Sequence, residues 1–439
     1  MLKISANRRF LTHDDGKPFF YLGDTAWELF HRTTRTEAQV YLDDRTAKGF
    51  TVIQAVVLAE VDGLHTPNMN GDLPLVDDDP MQPNEAYFQH VDQVMEYAAA
   101  LGLHIGMLPT WGDKWNQGWG TGPEIFTPQN AYTYGQWLAK RYADAPVLWI
   151  LGGDRPVETQ HQRAVIEAMA TGLREGDGGT HLISFHPPGG RGSSDPFHDA
   201  AWLDFNMYQS GHSRNQENWR LIAGDYARTP TKPCMDAEPG YEDHPANFDL
   251  NNGYLDDYDT RKSLYWGLFT GGHGHTYGCH PLWQLWQADR APISWVRRTW
   301  QDALHLPGSG QQQHAKHLIL SRPFFERVPD QALIVGDGRS GSHHVQATCS
   351  SDGSYAFVYL PFYEPVDIDL DRLSGDTLTS WWYNPRTGTA QQFDSIARSG
   401  THTFTPPSGG PDWVLVLDDT ARTFGQPGAF IYPSREEQA

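Results

Sequence analysis

Two carboxylates carry the strongest chemical signal in this chain. Asp154 ends the run Trp149-Ile-Leu-Gly-Gly-Asp, and Glu238 lies in Asp236-Ala-Glu-Pro-Gly. The apolar residues before Asp154 read as a strand over 147–151 that is covered on both faces. Gly152 and Gly153 let the backbone bend sharply past it. A carboxylate just beyond the C-terminal end of a parallel strand sits where barrel folds place their chemistry. Two such groups facing each other supply the acid/base and the nucleophile, or base, that glycosidic cleavage requires. Two simpler readings compete. Asp154 is also well placed to cap the helix that Pro156 and the periodic segment 158–173 open. Asp236, two residues before Glu238, rivals it as nucleophile if the strand runs through both. Glu238 is preferred because it lies further out, against the turn Pro239-Gly240.

Positioning these groups requires a regular frame, and the pattern supplies one. After a strand over 19–22, helix 36–48 leads to strand 50–58, helix 84–100 to strand 103–108, and helix 128–142 to strand 147–151. Helix 158–173 leads to strand 182–185; strand 202–207, helix 215–226, strand 233–235, helix 257–269 and strand 274–277 follow, with a closing helix over 293–304. Strands alternating with helices imply a parallel sheet. Eight of them match a (β/α)8 TIM barrel, which typically takes about 250 residues, here over 1–310. The segment 185–202 shows no helical pattern and is the weakest link in the count. Before the barrel, segments 9–12 and 18–22 pair around His13-Asp14-Asp15-Gly16, and Asp24 or Thr25 is expected to cap a first helix. Gln311–Gln313 reads as a domain boundary. Short strands over 332–335, 345–348, 355–360, 366–370, 378–383, 400–404 and 413–417, with a turn at Asn384-Pro-Arg-Thr-Gly388, predict a C-terminal β-sandwich over 320–439 that packs on the barrel.

Polar and aromatic residues stand at nearly every strand end. Trp27, Trp111, Trp115 and Tyr208 are expected to line a sugar pocket, and Asp24, Gln54, Asp113, His186 and His275 to hold hydroxyl groups; His212, His273 and Tyr277 lie close by. Each has a plainer reading as a cap, a turn residue or a satisfied core side chain. The pair His273 and His275 resembles the HxH pairs of barrel metallohydrolases, but those open on the first strand, and zinc needs three convergent ligands. No metal and no cofactor is therefore expected.

Composition narrows the partners. Acidic residues outnumber basic ones 54 to 33, and the net charge of −21 argues against nucleic acid and anionic membrane surfaces. No apolar run approaches the roughly 20 residues of a membrane span. Met1-Leu-Lys-Ile-Ser lacks an apolar signal region, which predicts a cytoplasmic protein as the chain stands, or a periplasmic or secreted one if a signal has been removed. Cys234, Cys279 and Cys349 are odd in number and far apart, so they read as buried small side chains rather than a disulfide framework. The pattern leaves the oligomeric state open.

Three segments carry a family resemblance: Tyr21-Leu-Gly-Asp-Thr-Ala-Trp-Glu-Leu29, Trp149-Ile-Leu-Gly-Gly-Asp154 and Asp236-Ala-Glu-Pro-Gly-Tyr-Glu242. They resemble the apiosidase-like glycoside hydrolases, glycoside hydrolase family 140, and the C-terminal part resembles the small collagen-binding-type β domain often attached to them. The resemblance implies release of apiose, a branched furanose, from pectic side chains, with Asp154 as acid/base and Glu238 as nucleophile. The leading expectation is a retaining, exo-acting enzyme, and retention requires the two carboxyls to stand about 5–5.5 Å apart. Retaining barrel glycosidases more widely carry Asn-Glu at the end of strand four, where this chain has Gly153-Asp154. The competing expectations are a carbohydrate-binding barrel without catalysis and a metal-dependent barrel hydrolase.

Overall fold

The computed structural model describes residues 1–432. Eight parallel strands form the barrel: β1 (Tyr21–Thr25), β2 (Val52–Leu58), β3 (His104–Thr110), β4 (Val147–Gly152), β5 (Ile183–His186), β6 (Asn206–Gln209), β7 (Cys234–Asp236) and β8 (Gly274–Tyr277). Hydrogen-bonded ladders run from β1 through β5 and from β6 through β8 back to β1. Between β5 and β6 the wall closes through single bonds, Asp204 N–H to Ile183 O at 2.9 Å and Ser184 Oγ to Phe205 O at 2.7 Å. A two-residue strand, Arg191–Gly192, pairs antiparallel with β6 as a ninth member. The segment 185–202 holds only the short helix Ser194–Phe197 where a full barrel helix would stand.

The outer helices are α1 (Arg35–Ala47), α2 (Glu85–Ala100), α3 (Pro128–Arg141), α4 (Gln160–Gly176), α5 (Asn218–Tyr226), α6 (Asp257–Phe269) and α7 (Pro307–Leu320). Local sequence starts several of them. Thr34 with Glu37, Thr127 with Asn130, Thr159 with Gln162 and Asp256 with Asp259 form reciprocal capping boxes. Strand and helix bounds otherwise follow the periodicity within a few residues, with corrections. Asp24 and Thr25 lie inside β1 and cap nothing. The closing helix over 293–304 shrinks to Trp300–Ala303, and the last barrel helix is α7. Gln311–Gln313, read as a boundary, falls within α7. Its start, Pro-Gly-Ser-Gly, looks like a breaker in sequence. In the fold, Gly308 N–H donates to Glu242 Oε1 at 3.2 Å, and a Cβ on Gly308 would lie 2.4 Å from Glu242 Oε2. A glycine there lets the helix dock close to the barrel.

The barrel floor is plugged by the antiparallel strands Leu2–Ile4, Leu11–His13 and Pro18–Phe19, whose Leu2, Leu11 and Phe19 join the inward-facing cluster of Tyr21, Val52, Leu148 and Met207.

The C-terminal domain is a six-stranded antiparallel sheet. In chain order its strands are β9 (Arg327–Pro329), β10 (Gln346–Ser350), β11 (Tyr355–Leu360), β12 (Thr377–Tyr383), β13 (Ala390–Ala397) and β14 (Trp413–Asp419), and in space they run β9-β10-β11-β14-β12-β13. The second layer of the expected sandwich is only the ribbon Val366–Asp369 with Thr401–Phe404. It covers one face, packing Ile368 and Phe404 on Val358 and Leu415. The opposite face packs on the barrel, where Tyr359 stacks on Tyr265 at 4.9 Å and Phe357 on Phe269 at 5.9 Å, both partners on α6. Residues 332–335 are a 3-10 turn at Gln331–Leu333 rather than a strand, and β13 had no sequence signal because it is an exposed, polar edge strand.

Buried charges rivet the two domains. Arg261 of α6 holds Asp412 at 2.9 Å, Arg386 donates to the same carboxylate at 2.8 Å, and Arg322 pairs twice with Asp418 at 2.7 and 2.8 Å. Asp412→Ala removes the carboxylate shared by Arg261 and Arg386 and leaves Arg261 only Asp257 as an ion partner, so it should cost about 2–4 kcal/mol of stability, read as a lower urea midpoint at unchanged slope. A chain cut near residue 310 ends inside α7 and uncovers α6, so it should be insoluble. A soluble, fully active 1–310 fragment would show the β domain to be dispensable.

Candidate active site

Gly152, Gly153 and Asp154 all have positive φ, 96°, 96° and 58°. A Cβ on Gly152 would lie 2.3 Å from His186 O, and one on Gly153 2.6 Å from Gly112 N, so only glycine fits this bend. Asp tolerates the left-handed region that follows. Helix α4 begins six residues later under the cap of Thr159, so Asp154 is free of capping duty. Its carboxylate accepts from Arg155 Nη1 at 3.2 Å and from Trp119 Nε1 at 3.3 Å. Burial and the charge of Glu238 push Asp154 up to about 6, against the opposing pull of Arg155 and His186.

The end of β7 separates its two acids. Asp236 points outward, accepting from Ser210 Oγ at 2.7 Å and from Asn218 Nδ2 of α5 at 3.0 Å. Ala237 N–H and Glu238 N–H both donate to Tyr208 O, at 2.7 and 3.3 Å. Two residues opposing one make a bulge, and the bulge turns Glu238 into the mouth instead of letting it follow Asp236. There His186 Nε2 lies 2.9 Å from Oε2, off the axis of a well-aligned hydrogen bond, and His212 Nε2 lies 3.3 Å from Oε1. Tyr241 N–H donates to His212 Nδ1 at 3.4 Å, which leaves the ring proton on Nε2, directed at Glu238. Burial raises the Glu238 carboxyl, but the two histidines outweigh it and hold the group well below the usual carboxylate range. Burial and that charge push the Tyr241 phenol well above its ordinary value.

Four of the predicted binding residues meet at this pair. Trp27 packs on Trp111 and on His186, each at 5.2 Å between ring centres. Trp111 Nε1 and His186 Nδ1 are buried with no hydrogen-bond partner among the described residues. Gln54 lies beneath, already engaged: it accepts from Tyr21 Oη at 3.2 Å and donates to Ala237 O at 3.1 Å, steadying the residue before Glu238.

The other five stand elsewhere. Asp24 faces α1, ion-paired to Arg45 at 2.7 Å and bonded to Tyr41. Asp113 pairs with Lys114 at 2.7 Å and accepts from Gly122 N–H at 2.9 Å, holding the loop after β3. Trp115 anchors the same loop by donating to Gly152 O at 2.9 Å. Tyr208 turns outward against Ile222 and Cys234 and contributes only its carbonyl. His275 lies outside the barrel wall, its Nδ1 4.0 Å from where a Cβ on Gly267 of α6 would be. His273 packs at the floor on Tyr21 and Phe205, so the HxH pair does not converge. Among the described residues no group of three or more His, Cys, Asp or Glu side chains is arranged to hold a metal ion. The three cysteines are buried and free.

Several neighbours of the pair are not marked by the sequence pattern. Glu60, two residues past β2, is pushed up to about 8 by burial and by Asp154. His244 stacks on His212 at 4.3 Å, and burial lowers it to about 2. Trp119, in the run Gly118-Trp-Gly120, is the one with a legible signal: an aromatic between glycines after a barrel strand.

An eight-stranded parallel barrel with two carboxyls at the ends of β4 and β7, the proton affinity of one pushed up and of the other held down, has the makings of a glycoside hydrolase. Comparison with known proteins agrees. The family model "Apiosidase-like, catalytic domain" matches residues 5–326, and "Putative collagen-binding domain of a collagenase" matches residues 328–418. A structure described as a glycoside hydrolase is 33% identical, covering 96% of this chain and 97% of its own, with a TM-score of 0.88. A glycoside hydrolase family 5 structure from Bacteroides vulgatus is also 33% identical, covering 100% and 97%, with a TM-score of 0.90. No curated protein matches the chain. The chain belongs to the apiosidase-like family, and it is a glycosidase. Among the described residues no helix is long and apolar enough to cross a membrane.

Proposed function

We propose that this glycosidase acts with retention and releases a terminal sugar, apiose or a related furanose of pectic side chains, from a plant or microbial polysaccharide. The observation that carries the reading is the opposite displacement of two facing carboxyls, Asp154 up to about 6 and Glu238 far down. Glu238, its proton affinity lowered by His186 and His212, attacks the anomeric carbon while Asp154 gives its proton to the leaving oxygen. Asp154 then takes a proton from the water that attacks the glycosyl-enzyme, and the sugar leaves with its original anomeric configuration. Trp27 and Trp111 form the apolar bed of the sugar, and His186 Nδ1 and Trp111 Nε1 meet its hydroxyls. Exo action is suggested by the long loops that follow β2, β3, β7 and β8 at the end of the barrel carrying the two carboxyls.

The test is a panel of aryl glycosides, furanosides included, in excess chelator, with the first-formed anomer read by NMR. Inversion would remove Glu238 as nucleophile. Binding without turnover would favour the non-catalytic reading, and loss of turnover on chelation the metal-dependent one.

The charge state sets the pH dependence. Asp154 must start protonated, and its group titrates near 6 in the free enzyme. kcat/KM should therefore be full below that pH and fall as pH rises through about 6. A descending limb centred above pH 8 would assign the proton to another group.

A further inference from the structure

We propose that Trp119 is the platform for the leaving group, the part of the substrate that departs from the sugar being hydrolysed. The inference rests on Asp154 being the proton donor, because the leaving oxygen must then touch Asp154, and whatever that oxygen carries must lie beside it. Trp119 is the aromatic at that spot: its Nε1–H reaches Asp154 Oδ2 at 3.3 Å. One face of the indole is closed by Arg155, whose Cζ lies 4.0 Å from the ring centre. Yet the residue is 49% exposed, and glycines on either side leave it uncrowded. An exposed indole backed by a cation suits the C–H face of a saturated sugar ring.

The platform is built, not incidental. Arg155 Nη2 donates to Trp119 O at 2.6 Å, clasping the residue by its carbonyl as well as its ring. A Cβ on Gly120 would lie 2.8 Å from that same nitrogen. Asp113 holds Gly122 N–H at 2.9 Å, and Glu124 accepts from Gln117 N–H at 2.8 Å, so both shoulders of the loop are tied down. One arginine thus braces the acid and the ring together. The structure assigns the ligand class as a glycoside whose leaving group is itself a sugar, with Trp119 selecting for it.

The experiment compares a disaccharide with the fluoride of the same sugar, whose leaving group has no ring to stack. At pH 5, below the value of about 6 for Asp154, the donor form is favoured. Trp119→Ala should lose at least about 10-fold more kcat/KM on the disaccharide than on the fluoride, the scale of one aromatic contact. Trp119→Phe keeps a ring and removes the N–H, so it should restore most of the disaccharide rate. Its alkaline limb should move upward, since the N–H favours the carboxylate. Equal losses of Trp119→Ala on both substrates, or a Trp119→Phe enzyme no better than Trp119→Ala on the disaccharide, would overturn the platform. Asp154→Ala, run beside them, separates the two failures: if it loses equally on both substrates the proton-donor reading goes. An arm without turnover uses the Glu238→Gln protein: pectic oligosaccharide should alter its tryptophan fluorescence, and Trp119→Ala added to it should weaken that binding about 10-fold.

Discussion

Glu238→Ala should abolish turnover on every substrate, with kcat down on the order of 10⁴-fold or more, as for other lost nucleophiles. The change removes the attacking oxygen, so leaving-group quality cannot compensate. It also leaves a small space bordered by the donor nitrogens of His186 and His212, which sit 2.9 and 3.3 Å from the present carboxylate. Azide or formate suits that space by charge and size. Either should restore part of the rate, and azide should give a glycosyl azide of inverted configuration because it attacks from the nucleophile's side. The measurement is kcat against azide concentration, with the product's anomer read by NMR. Retained activity without azide would sink the assignment. Asp236 could not replace Glu238, since Ser210 and Asn218 hold it on the outer side of the wall.

Asp154→Ala should fail selectively. Positioned acid/base groups contribute roughly 10²–10⁴-fold, and they matter most when the leaving oxygen is basic. An activated aryl glycoside should therefore keep most of its first-step rate, while a sugar leaving group loses that whole factor. On the activated substrate the second step, which needs Asp154 as base, becomes limiting, so a glycosyl-enzyme should accumulate and give a burst detectable by mass spectrometry. The pH profile should lose its limb near 6 together with the proton donor. Equal loss on both substrates with no trapped intermediate would leave Asp154 as a structural bend residue only.

The frame was legible because it is written in short-range pattern. Buried parallel strands are continuous apolar runs such as Val147–Gly152, and amphipathic helices end where a threonine or aspartate caps them. The two carboxyls were legible for the same reason: the glycine pair before Asp154 and the Pro-Gly after Glu238 mark where strands stop. Pattern failed at α7, whose glycines read as a break until Glu242 is seen to need their close approach, and at β13, an edge strand with little apolar face to show.

Which side of the wall each strand-end residue faces was beyond the sequence. Asp24, Tyr208 and His275 have the right type and position along the chain, yet each points outward. Asp236 and Glu238 are two apart and should share a face, and one shared carbonyl, Tyr208 O, sends them to opposite sides. Strand residues alternate between two faces, so a shift or bulge of one residue reverses every assignment beyond it. The sequence by itself determined the barrel, the attached β domain, the chemical class and the candidate acid pair, because composition, periodicity and turn residues are local properties. Only the tertiary structure decided which polar groups converge, and that His186 and His212 pull the proton affinity of Glu238 down while burial raises that of Asp154. A carboxyl's proton affinity is set by its solvent access and by charges from strands distant in the chain, and neither exists until the barrel closes.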